Sequence, residues 1–351
     1  MARARVWFGV RLLLLALGAS VLGAGIAAYT DFLHWRPPAP VVVKPKPKPQ
    51  PPSDKLPDPI TPDRPAKLDA TRAAASGDWV HAHPSFQYSR STAQRGVNPC
   101  ALPDADTSGF LPWSVLAKGQ FTAPRTGAVA ANGDFDLVMH FHGQDLARRE
   151  LIESGQKFVL YGLTLDASES YSALFAGSKL MSGLVAGIEA AVGAANGVKA
   201  HARHVALTAW SAGYMAVLSI LVQPEAKDVD AVVLIDGLHG QRGALEHQLA
   251  PFVEYARRAE TGERFMFVTH SSIDPPAFAS TTEAVHHLLS ALGEKPTAVK
   301  RDDRGGLELV EYFSHGDFNV RGYAGNDKAD HCAQVMLLRD AFTALGRRWQ
   351  R

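Results

Sequence analysis

The stretch His204-Val205-Ala206-Leu207-Thr208-Ala209-Trp210-Ser211-Ala212-Gly213-Tyr214-Met215-Ala216-Val217 decides how the chain is read. A short apolar run leads into a serine, and a helical pattern starts at once behind it. A strand that turns sharply into a helix holds such a serine in a strained conformation with its hydroxyl exposed. The turn admits only small residues two places before and two places after the serine, and Ala209 and Gly213 stand there. The serine also falls at a helix N-terminus, where backbone N–H groups favour negative charge. A small-x-Ser-x-Gly string arises often by chance, and its ordinary meaning is a helix-capping serine. The strand before it and the helix behind it make Ser211 a candidate nucleophile instead.

Working outward, β-rich runs alternate with helical patterns. Strands are expected over 115–121, 136–141, 158–165, 204–209, 231–235, 264–269 and 307–313, and helices over 146–154, 171–192, 212–221, 243–259, 280–292 and 329–345. Several strands are short, apolar and β-branched, as in strands covered on both faces. The alternation implies an α/β fold, with a mainly parallel central sheet and helices on both faces. In such a sheet the functional residues lie just past the carboxyl ends of the strands.

In these features the chain resembles the α/β-hydrolase superfamily, over roughly Trp113 to the C-terminus. A second piece of the resemblance is Asp136-Leu137-Val138-Met139-His140-Phe141-His142-Gly143-Gln144, a strand ending in His-Gly ahead of the serine. The resemblance implies an oxyanion hole made of the Ala212 N–H and an N–H of Gly143 or Gln144. The run lacks the fuller His-Gly-Gly-Gly of some esterases, so the second donor stays open between those two.

The superfamily order is serine, acid, histidine. Two histidines qualify: His331, at the start of the final helix, and His315, directly past a strand. Two acids qualify. Asp274 follows the strand after which the family most often places it, and Asp236 ends the preceding strand. Ordinary roles, a turn residue for Asp274 and a cap for Asp236, compete with each. His142 and Trp210 are expected near the pocket, as is His239 beside Asp236. The resemblance implies a serine hydrolase acting on an ester or amide through an acyl-enzyme, with no cofactor. Only about 27 residues separate the strands flanking Gly237–Glu263, room for one helix rather than a large cap.

Two rival readings accompany this one. His140 and His142 at i, i+2 share a strand face, as metal ligands can, but no His-Glu-x-x-His or carboxylate-rich cluster accompanies them. A tethered envelope module with a non-catalytic hydrolase fold is the other; it expects no hydrogen bond between Ser211 and either histidine.

Composition sets outer limits. The 351 residues are 46% hydrophobic and 20% charged with a net charge of +1, enough for a sizeable core and no footprint for nucleic acid. Arg3, Arg5 and Arg11 precede an apolar run from Leu12 to Tyr29. That length suits a bilayer-spanning helix or a cleaved signal peptide, and the flanking charges predict an exported remainder. Membrane contact is expected through residues 6–29, in a bacterial cell envelope, with the catalytic part on the extracytoplasmic side or secreted. From Arg36 to Pro65 proline crowds the chain, including Lys44-Pro45-Lys46-Pro47; an extended linker of this length would reach on the order of 90 Å. The expected organisation is 1–30 anchor or signal, 31–76 Pro-rich linker, 77–112 irregular lead-in, and 113–351 catalytic domain. A bridge between Cys100 and Cys332, the two cysteines present, would suit an exported protein; an unpaired, buried Cys332 is the alternative.

Overall fold

The structure, a computed structural model, describes residues 105–350. The anchor or signal segment, the proline-rich linker, most of the lead-in and Cys100 lie outside the described residues. Among the described residues no helix is long and apolar enough to cross a membrane.

Ten strands form one mixed sheet in the order β1-β2-β4-β3-β5-β6-β7-β10-β9-β8. They are β1 (Ser114–Val115), β2 (Gln120–Thr122), β3 (Asp134–Phe141), β4 (Val159–Leu163), β5 (His201–Trp210), β6 (Ala231–Ile235), β7 (Phe265–Ser271), β8 (Thr297–Asp302), β9 (Glu308–His315) and β10 (Phe318–Ala324). The six central strands, β4 to β10 in sheet order, are parallel. Antiparallel pairs flank them at both edges. The helices are α1 (Gln144–Ser154), α2 (Ser168–Leu174), α3 (Leu180–Asn196), α4 (Tyr214–Leu221), α5 (Leu245–Glu260), α6 (Thr281–Ala291), α7 (Lys328–Ala333) and α8 (Leu338–Trp349).

Alternate residues of each strand face opposite sides, and this divides the core into two layers. Leu137, Met139, Leu207, Val232, Leu234, Met266 and Val268 pack under α3, α4, α5 and α6. Val138, Leu160, Ala206, Val233 and Phe267 pack against α1 and α8. Strands β4, β6 and β7 are buried at every position, which explains their near-continuous apolar sequences.

Three stretches of the sheet depart from the sequence expectation. The segment expected as one strand over 115–121 is two short antiparallel strands, β1 and β2. Strands β8 and β10 were not expected. β8 is an exposed edge strand carrying Lys300, Arg301 and Asp302, a composition that blunts edge pairing rather than advertising a core. β10 returns from β9 through a two-residue turn at Gly316-Asp317. The long helix expected over 171–192 is α2 and α3, and the one over 329–345 is α7, a 3₁₀ turn and α8. Only α5 lies between β6 and β7, so no large cap is inserted there.

Candidate active site

Strand β5 ends at Trp210, and Ser211 to Gly213 form a single 3₁₀ turn that feeds α4. Ser211 has φ +52°, a left-handed conformation uncommon for a residue with a Cβ. The neighbours show why small residues are required here. A Cβ on Gly213 would lie 2.1 Å from the Phe141 carbonyl oxygen, and one on Gly237 would lie 2.7 Å from the Ser211 carbonyl oxygen. Ala209 is wholly buried between Phe141 and Leu234 of the adjoining strands. The elbow is wedged between the ends of β3 and β6, and this packing holds the strained serine.

Asp236 follows β6 immediately, itself at φ +41°. Its Oδ2 lies 2.7 Å from His331 Nδ1, which therefore donates. Its Oδ1 accepts from the Ser271 N–H at 2.9 Å and from the Thr281 hydroxyl at 2.7 Å. Burial pushes the Asp236 carboxyl upward. The hydrogen bond and charge of His331, with the bonds from Thr281 and Ser271, outweigh it and hold the group below the usual range. A buried carboxylate fixes the His331 tautomer, so the Nε2 lone pair is turned away from Asp236. Trp210 stacks on the His331 ring at 4.9 Å between centroids and 26° between planes, fixing its plane from the other side. His331 belongs to α7, whose start is capped by Asp327 and Asp330.

Among the described residues Ser211 makes no side-chain hydrogen bond to His331, whose imidazole is held by Asp236. Ser211 and His331 are each partly exposed, while Asp236 is buried.

The two acids and the two histidines are placed very differently. Asp274 is an exposed loop residue on Arg242, so it does not meet His331. His315 is exposed beside Glu260 and Glu294. It ends β9, which runs antiparallel to β10. Its end therefore lies at the amino edge of the parallel strands, opposite the edge that carries Ser211. His315 is thus the last residue of its strand rather than just past it, and the direction of that strand follows only from β10.

The loop after β3 also differs from expectation. The N–H groups of Gly143 and Gln144 both donate to Thr164 Oγ1, at 3.1 and 3.3 Å, and that of His142 donates to Leu163 O at 2.9 Å. All three are spent in this structure. The Ala212 N–H lies in the first turn behind Ser211, where a helix offers no carbonyl to accept it. Thr164 carried no motif that would have drawn attention to it.

His140 and His142 do not form a metal pair. His140 is wholly buried with both nitrogens engaged: Nε2 donates to His142 O at 2.7 Å, and Nδ1 accepts from Thr208 Oγ1 at 2.8 Å. Burial drives its pKa down to about 3. His142 Nδ1 bonds Leu165 O at 3.2 Å, and its ring lies 5.5 Å from that of Trp210. His239 Nδ1 donates to Ala279 O at 3.3 Å, and burial lowers its pKa. Its ring lies against Tyr214 and Phe278. It lines a cavity of about 770 Å³ with Tyr214, Met215, Leu218, Ala173 and Phe278. Tyr214 and His239 stand three residues past Ser211 and Asp236, so the cavity adjoins the group.

Sequence reasoning missed Thr281 and Ser271, which hold Asp236. The signal available was the capping box Ser280-x-x-Glu283 that starts α6 and fixes where Thr281 lies.

No protein-family model and no curated protein sequence matches the chain. Solved structures that resemble it do so distantly. An uncharacterised protein of Capnocytophaga ochracea is 9% identical at TM-score 0.40, over 66% of this chain and 64% of its own, so this chain spans a little under two thirds of that protein. A structure described as a putative aryl esterase from Burkholderia cenocepacia is 12% identical at TM-score 0.35, over 67% of this chain and 98% of its own. An S-formylglutathione hydrolase from Agrobacterium tumefaciens is 12% identical at TM-score 0.35, over 68% and 99%.

Proposed function

We propose that this protein is a serine hydrolase of the α/β-hydrolase type, cleaving an ester or amide with Ser211 as nucleophile, His331 as base and Asp236 as acid. The observation that carries the reading is the 2.7 Å contact of His331 Nδ1 with the buried Asp236 carboxylate, next to a serine held at φ +52°. In the reaction, Ser211 Oγ attacks the substrate carbonyl carbon and its proton passes to His331 Nε2. Asp236 balances the resulting imidazolium. The tetrahedral intermediate collapses as His331 returns that proton to the leaving alcohol or amine. Water then repeats the sequence and frees the acid. Ser211 Oγ has to come within reach of His331 Nε2, a tightening expected when substrate binds.

The Ala212 N–H is one oxyanion donor. For the second, we favour the Thr164 hydroxyl. It accepts from both Gly143 and Gln144, which polarises its own O–H for donation. The cavity beside Tyr214 and His239 suits an apolar acyl group, its walls being largely aliphatic and aromatic. The basic and apolar N-terminus and the proline-rich segment support an exported, envelope-tethered hydrolase.

The competing reading is a non-catalytic module that retains the fold, and the unformed Ser211–His331 bond is the observation on its side. A fluorophosphonate probe separates the two. Labelling of the wild type that is lost in Ser211→Ala and His331→Ala supports the hydrolase; a folded wild type that takes no label leaves the module.

A further inference from the structure

His270, Gly322 and Glu311 lie in one row across three neighbouring strands, β7, β10 and β9. The middle member has no side chain. A Cβ on Gly322 would lie 2.3 Å from His270 Nε2 and 3.0 Å from the Glu311 Cβ. The imidazole and the carboxylate lean into the space above the glycine, and His286 of α6 closes it from the helix layer. His286 Nε2 is 2.7 Å and His270 Nε2 is 3.4 Å from the same oxygen, Glu311 Oε2. His270 is 0% exposed and Glu311 2%.

Proton placement makes this cluster unusual. Thr282 Oγ1 donates its only proton to Ser271 O at 2.6 Å. At 2.9 Å from His270 Nδ1 it must therefore accept, so Nδ1 carries the hydrogen. A neutral His270 then turns its Nε2 lone pair toward a carboxylate oxygen, and that nitrogen is buried with no hydrogen-bond partner. Two electron-rich atoms facing each other away from water repel, and a positive charge belongs between them.

We propose that His270, His286 and Glu311 bind a divalent transition metal of the Zn²⁺ class, through His270 Nε2, His286 Nε2 and Glu311 Oε2. All three atoms fall within 4.8 Å of one another. Two imidazoles with one carboxylate suit this borderline cation better than Ca²⁺ or Mg²⁺, which take oxygen. Bonds of about 2.0 Å in a tetrahedron separate neighbouring ligand atoms by about 3.3 Å. The His270–Glu311 spacing already has this value, and His286 would retreat by roughly half an ångström. Thr282 orients His270 through the other ring nitrogen, as outer partners of metal-bound histidines do. The ion would clamp β7, β9 and α6. It would also steady Ser271 and Thr281, the residues beside His270 and Thr282 that hold Asp236. The site stands whether or not Ser211 is catalytic.

The untagged full chain is stripped with a chelator, incubated with Zn²⁺, passed through metal-free buffer and assayed for metal. A parallel sample takes Co²⁺ for its visible spectrum. One equivalent of Zn²⁺ is expected to stay bound, with visible bands of protein-bound Co²⁺ in the wild type. Both are lost in Glu311→Gln and His286→Asn, and kept in His315→Ala, which disrupts the exposed Glu260–Glu294–His315 group instead. Circular dichroism establishes that the variants fold, and the wild-type stoichiometry and spectrum need no variant. A wild type that retains no Zn²⁺ overturns the proposal and leaves a protonated His270 paired with Glu311. So does a Glu311→Gln that binds as the wild type does, or binding lost only in His315→Ala.

Discussion

Gly237 lies backbone to backbone against Ser211, so that a Cβ at 237 would stand 2.7 Å from the serine carbonyl oxygen and 3.0 Å from its nitrogen. The residue after Asp236 thus sets the position of Ser211. Gly237→Ala has to push the two strand ends apart, a strain of about 1–3 kcal/mol. A displacement approaching 1 Å at a reacting group costs on the order of 100-fold in rate. Fluorophosphonate labelling of Gly237→Ala is expected to slow at least tenfold, with a lowered unfolding temperature. Gly183→Ala, an exposed helix position with nothing within 4 Å of the added methyl, should gain about 0.5–1 kcal/mol. Labelling of Gly237→Ala at the wild-type rate would separate this contact from nucleophile placement.

Asp236 and Asp274 give opposite expectations. Asp236→Asn keeps the shape but removes the charge that fixes and balances His331, and kcat should fall about 10³–10⁴-fold. Asp274→Ala breaks an exposed pair with Arg242, worth about 0–1 kcal/mol, and should leave kcat within about twofold. Because the folded Asp236 carboxyl is held below the usual carboxylate range, its stabilising contribution is complete above that range. It is lost only as the pH falls through the depressed folded pKa. Unfolding curves of wild type and Asp236→Asn should therefore stay apart from neutral pH to about 4 and converge below it. Convergence already at pH 6 would contradict an ionised, hydrogen-bonded Asp236.

Much of this arrangement could be read in the sequence, because short-range rules govern it. The elbow at Ser211, the His-Gly end of β3 and the apolar runs of β5, β6 and β7 each announce themselves within about ten residues. The choice between Asp236 and Asp274 could not be read, because both follow strands and only the position of α7 decides which one meets His331. His315 was ambiguous for a related reason. Phe318 to Ala324 is broken by Asn319, Arg321 and Gly322, which mask a strand, and without β10 the direction of β9 is undefined. Glycine 322 weakens the strand signal for the same reason that it makes room for His270 and Glu311.

Thr164 tests the second oxyanion donor. Thr164→Val keeps the branched shape and removes a hydroxyl that accepts from Gly143 and Gln144. With that hydroxyl as a donor to the developing oxyanion, kcat should fall about 10²–10³-fold at nearly constant KM. A kcat that holds or rises would return the role to the N–H groups of Gly143 and Gln144, which the substitution sets free.

His140 carries the clearest pH signature. It is neutral in the fold because burial drives its pKa from 6.5 to about 3, while the unfolded chain protonates it near the ordinary value. Between those limits the unfolded state binds one more proton, so stability is full above pH 6.5 and declines as the pH falls toward about 3. The slope is about 1.4 kcal/mol per pH unit, which amounts to about 2 kcal/mol between pH 6.5 and 5. His140→Asn loses well-placed partners for Thr208 and the His142 carbonyl, costing about 1–3 kcal/mol at pH 7. It has no proton to gain, so its deficit relative to wild type should shrink by about 2 kcal/mol between pH 6.5 and 5 in urea unfolding. A deficit that stays constant over that interval would mean that His140 is protonated in the folded protein, and the hydrogen bond assigned from Thr208 to Nδ1 would have to run the other way.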